Sequence, residues 1–83
     1  MNYKNEKYAE MINLKEIGQI LRKERENQRY SQTDIAKLIG GSTNTIYLAE
    51  KTGNIRVLTL LKICKALNVS PVEIIKKSEG AEK

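Results

Sequence analysis

Residues 31–54 read SQTDIAKLIGGSTNTIYLAEKTGN: two short apolar-periodic pieces parted by Gly40, Gly41 and Ser42. Ser31 and Asp34 make an S-x-x-D pattern, a capping-box variant that opens a helix at Gln32. Tyr30 and Ile35 flank that start where a hydrophobic staple fixes the entry angle. Ile39 is the last residue of the helix, because Gly40-Gly41 can adopt the left-handed backbone that stops one. Ser42 then caps a second helix, Thr43 to Thr52, which Gly53-Asn54 closes.

A three-residue joint forces the two helices to cross steeply, the helix-turn-helix geometry. Backbones approach closely at such a crossing. Ala36 and Ala49 are small enough to permit it, and Ile35, Ile39 and Ile46 fill the remaining space. The periodicity of the second helix puts Thr43, Asn44, Tyr47, Leu48 and Lys51 on one side, away from Ile46 and Ala49. That outer stripe has hydrogen-bonding groups near its N-terminal end, a hydrocarbon side chain and a lysine. These are the ingredients for reading base edges in a major groove. A solvated helix face is the ordinary meaning of a polar stripe, and the tight turn with its small residues is what favours the first reading.

Outward from this pair, residues 1–11 (MNYKNEKYAEM) read as an N-terminal tail or helical extension. A domain follows over residues 12–78, and residues 79–83 are a C-terminal tail. Ile12 to Asn27 is amphipathic, with Leu14, Ile17 and Leu21 on one face. The fourth helix is capped by Asn54 and runs to Leu67, its apolar face formed by Val57, Leu60, Cys64 and Leu67. Ser70-Pro71-Val72-Glu73 opens a fifth helix with a cap, a first-position proline and a third-position Glu, ending near Lys77. The expectation is an all-α, compact five-helix domain.

Composition narrows the function. Eighty-three residues suffice for a modest helical core but not for a core plus an enclosed catalytic cavity. There is no His and a single Cys, Cys64. That excludes the usual zinc ligand sets, a disulfide framework and Ser-His or Cys-His catalysis, so neither enzyme nor cofactor is expected. The lone Cys without a secretory segment suits a reducing cytoplasm, and no apolar run is long enough for a membrane. Fifteen Lys/Arg against ten Asp/Glu give a net charge of +5, compatible with a polyanion partner without requiring one.

The chain resembles the lambda-repressor-like, or Xre/Cro-type, helix-turn-helix DNA-binding family over about Ile17 to Ile75. The resemblance rests on R-x-x-R at Arg22 and Arg25, SQ-x-x-x-A ending at Ala36, Gly40 at the turn, Ile46, Glu50 and the later KALNVS. It implies a transcriptional regulator, a repressor, that binds double-stranded DNA. Gln32 is then expected to bond a DNA phosphate and steady the next helix. Ser42 is grouped with the DNA-binding residues, and Thr43, Asn44 and Leu48 match positions that touch base edges. Tyr47 is expected at the sugar-phosphate wall and Lys51 on a phosphate. Leu48 has a second reading, as packing on helix neighbours. Arg25 and Glu50 match positions that pair in some relatives; two unrelated surface charges is the other reading.

Departures from the family lie mainly after the second motif helix. Thr52 stands where a Gly is usual, the next segment is one residue shorter and lacks its common Pro, and Gly41 replaces an aliphatic residue. Cys64 takes a position where the family prefers a small residue. It reads as a small buried hydrophobe, with a redox sensor as the alternative. One such domain touches few bases, so a homodimer on a pseudo-palindromic operator is expected. Tyr8, Met11, Ile12, Val72 and Ile75 are the candidates for its surface, or else complete the core. Alternatives are an antitoxin-like component that binds a toxin protein as well as operator DNA, and a protein-interaction module on the same fold.

Overall fold

The computed structural model describes residues 13–80. Among these are five helices and no strand: α1 Leu14–Asn27, α2 Gln32–Ile39, α3 Thr43–Thr52, α4 Val57–Leu67 and α5 Pro71–Gly80. Local chemistry sets most boundaries. The Ser31 hydroxyl accepts from the Asp34 N–H at 3.0 Å, and the Asp34 carboxylate accepts from the Ser31 N–H at 2.8 Å, a closed capping box. Ser42 accepts from the Thr45 N–H at 3.1 Å. Gly40 (φ 69°) and Gly53 (φ 70°) end α2 and α3 in the left-handed conformation, the geometry that glycine adopts without penalty. Gly53 therefore supplies the stop that Thr52 could not.

The core collects Ile17 and Leu21 from α1, Ile35 and Ala36 from α2, and Ile46 and Ala49 from α3. Ile63, Cys64 and Leu67 join from α4 and Ile74 from α5. Ala36 and Ala49 are both buried, as a close α2–α3 crossing requires. A second close approach, between α1 and α3, depends on Gly18: a Cβ there would lie 2.6 Å from the Ala49 carbonyl oxygen. Burial also pushes the Cys64 thiol up, away from the reactive thiolate, as a packing role demands. Among the described residues no cluster could hold a metal ion, and no helix is long and apolar enough to cross a membrane.

Four expectations need correction or restriction. Helix α1 starts at Leu14, with Asn13 capping it by accepting from the Glu16 N–H at 3.1 Å. Ile12, Met11, Tyr8 and the 1–11 segment lie outside the described residues. Asn54 does not cap α4; Arg56 stands at that position without a side-chain cap bond, while the Asn54 N–H donates to Thr52 Oγ1. Val57 belongs to no buried stripe and is 72 % exposed. It shares a side of α4 with Cys64 but sits in the first turn, past the edge of the packed core. Finally, α5 continues beyond Lys77 to Gly80. Ser78 is fully buried and donates to the Ile75 carbonyl at 2.6 Å, so the extra turn packs as part of the fold and extends past residue 78.

Candidate nucleic-acid interface

Helix α3 separates its residues by side as its periodicity requires. Ile46, Ala49 and Glu50 are buried, whereas Thr43, Asn44, Tyr47, Leu48 and Lys51 are exposed. The buried carboxylate is the unusual member. Arg25 Nε donates to Glu50 Oε2 at 2.6 Å and Arg25 Nη2 donates to Oε1 at 3.0 Å, a two-point fork-to-carboxylate pairing. Arg25 Nη1 donates to the Tyr30 carbonyl at 2.7 Å, and Gln32 Nε2 donates to Glu50 Oε1 at 3.0 Å. The side chains of Arg25 and Glu50 are 10 % and 6 % exposed. Every buried side-chain nitrogen and oxygen among the described residues has a partner.

This cluster braces α3 from two directions, through Arg25 of α1 and Gln32 of α2. The Glu50 hydrogen bond holds the Arg25 guanidinium further into its charged form, outweighing the opposing effect of burial. A carboxylate can therefore sit beside the outward side of α3 without adding net negative charge there, because its charge is already matched. Gln32, expected to steady the next helix, reaches Glu50 of that helix with its amide.

The hydroxyls near the start of α3 are largely engaged within the protein. Ser42 Oγ lies 2.9 Å from Thr45 Oγ1 in addition to its cap bond, and Thr43 Oγ1 lies 3.2 Å from Thr33 Oγ1. The Asn44 side chain is exposed and has no hydrogen-bond partner among the described residues, so both edges of its amide are open to a ligand. Tyr47 and Leu48 are each 45 % exposed. The Lys51 ammonium lies 5.6 Å from the centre of the Tyr47 ring, within cation–π range. Leu48 combines its two readings: it is partly open to solvent, and with Ala49 and Ile55 it lines a shallow groove.

Sequence reasoning missed Gly18, whose lack of a side chain lets α1 reach α3, and it missed the row Lys15, Gln19 and Arg22 on α1. Those three, with Gln32, Tyr47 and Lys51, line an open groove over the Arg25–Glu50 pair. Their spacing of four and three was a legible signal for one helix face, but which neighbour that face meets was not.

Residues 21–74 match the profile of a helix-turn-helix family. Among solved structures, the chain is similar to the restriction-modification controller protein C.AhdI from Aeromonas hydrophila. The two share 32 % identity with a TM-score of 0.68, over 74 % of this chain and 94 % of that one. No curated protein sequence matches.

Proposed function

The chain belongs to the lambda-repressor-like helix-turn-helix family of DNA-binding regulators, and from that premise we propose that it is a sequence-specific repressor of transcription. Helix α3 enters the major groove of double-stranded DNA. Asn44 pairs with an adenine edge, Leu48 packs on a thymine methyl, and Thr43 contacts a neighbouring base. Tyr47 and Lys51 touch sugar and phosphate, with Gln32 and the Ser42 end of the helix positioning the backbone. The single observation that carries this reading is the division of α3: five outward side chains on one side, and on the other a buried ion pair that fixes the helix.

The protein acts as a homodimer on a pseudo-palindromic operator, since one copy of α3 spans only a few base pairs. Val57, Leu58 and Leu61 of α4, together with Val72 of α5, are exposed large hydrocarbons and are the surface we assign to the second copy. Ile75, in contrast, is half-buried against the core. The similarity to a restriction-modification controller supports a regulator that acts alone over an antitoxin with a toxin partner. We assign it to the cytoplasm, where such a regulator meets its DNA.

Titrating the protein against random duplex and against DNA from its own upstream region, across salt concentrations, tests the proposal. Tighter binding to the upstream DNA, with a steep salt dependence for both, is expected. Equal binding to both at every salt concentration would remove sequence specificity from the reading.

A further inference from the structure

Lys15, Gln19 and Arg22 form a row along one side of α1, and across an open groove of about 670 Å³ they face Tyr47 and Lys51 of α3. Three cations thus surround one concavity beside the outward face of α3. Among the described residues its only carboxylate is Glu50, already bonded by Arg25 and Gln32, so the groove is electropositive. Arg22 is partly engaged: its Nε donates to Glu26 at 3.1 Å, but both groups are more than half exposed. An exposed pair of that kind contributes little and yields readily to a stronger anion, and the terminal guanidinium nitrogens remain available. On the other flank of α3, the groove lined by Thr45, Asn54, Arg56 and Thr59 contains one cation.

Resting on the function proposed above, we infer that the α1 groove is a phosphodiester site. Lys15, Gln19 and Arg22 together with Lys51 hold the DNA strand bordering one side of the major groove, and Arg56 holds the strand on the other side more weakly. A major groove is walled by two backbones, and a helix lying in it places one flank against each. The charge distribution makes the α1 flank the stronger contact, so a helix outside the helix-turn-helix pair supplies a substantial share of the affinity.

The test is the slope of log affinity against log salt on random-sequence duplex, followed by fluorescence anisotropy. K15Q/R22Q should flatten the slope by about two units and R56Q by about one, because each phosphate that a cation neutralises contributes nearly one unit. K15Q alone, which has no ion-pair partner among the described residues, should account for about one of the two. K62Q/K65Q, two exposed lysines on α4, should leave the slope as in the unmodified protein. All of these residues are exposed, so thermal melts by circular dichroism should coincide. A K15Q/R22Q slope equal to that of the unmodified protein overturns this inference, as does an equal flattening in K62Q/K65Q. Absence of any DNA binding by the unmodified protein overturns the proposed function as well, which separates the two failures.

Discussion

Helices α3 and α4 invert one another. Helix α3 buries a carboxylate and turns a polar stripe outward. Helix α4 is the more apolar of the two, yet leaves Val57 and Leu58 well exposed, with Leu61 partly so. In each case the departure from hydrophobic-in, polar-out patterning has a definite form. Glu50 is inside because Arg25 and Gln32 satisfy it from two other helices. Leu58 and Leu61 are outside because they lie on the side of α4 away from the buried Ile63, Cys64 and Leu67, and Val57 is left uncovered two turns before Cys64. A polar group inside is tolerable when fully bonded, whereas clustered hydrocarbon outside is costly unless something covers it. The first anomaly thus braces α3, and the second is the surface proposed above for a second copy.

The largest consequence concerns the buried pair. Replacing Glu50 with Ala strands a guanidinium that cannot neutralise itself, at a cost of about 3–5 kcal/mol. Urea denaturation should show that loss, and R25M/E50L should lose much less because no charge is left unmatched. An E50A protein as stable as the parent would mean that the pair does not brace α3.

Next is the outward side of the same helix. Asn44→Ala should weaken the preferred operator by about 1–3 kcal/mol relative to random duplex. Equal weakening of both in gel-shift titrations would place Asn44 on the backbone instead of a base.

A smaller effect belongs to the capping box that opens α2. Ser31→Ala should cost about 1 kcal/mol of stability, read from thermal unfolding. Hydrogen bonds from Ser31, its backbone N–H foremost, hold the Asp34 carboxyl below its usual range. A depressed folded-state pKa means that its stabilisation is complete above the ordinary carboxyl range and fades as the pH falls through the lowered value. Asp34→Asn should accordingly weaken the acid dependence of unfolding without reversing it.

The smallest effect on folding is expected on α4. Leu58→Lys should change stability by no more than about 0.5 kcal/mol while reducing self-association in sedimentation equilibrium. A stability loss of core size would place Leu58 in the packed interior and remove the contrast between the two helices.

Ser31-x-x-Asp34, Ser42 and Gly40 announced α2 and α3 because caps and stops act within a few residues of the backbone groups they satisfy. The outer stripe of α3 was legible for the same reason, being a matter of helical repeat. Asn54 misled because a capping residue type does not reveal whether the chain turns helical immediately after it; here Ile55 and Arg56 intervene before α4 begins. Val57 misled because periodicity reports the side of a helix, not whether another helix lies against that part of it.

Local order along the chain thus accounted for the kind of elements, both limits of α2 and α3 and the side of α3 that faces outward. Three-dimensional packing supplied the rest: the burial of the Arg25–Glu50 pair that the family resemblance had already implied, the reach of Gln32 to Glu50, the need for Gly18, and the meeting of Lys15 and Arg22 with Lys51. Hydrogen bonds of caps close over three or four residues and leave their mark in nearby letters. Contacts between helices far apart in the chain depend on crossing angles and close approaches, which emerge only when all the buried surfaces are fitted together.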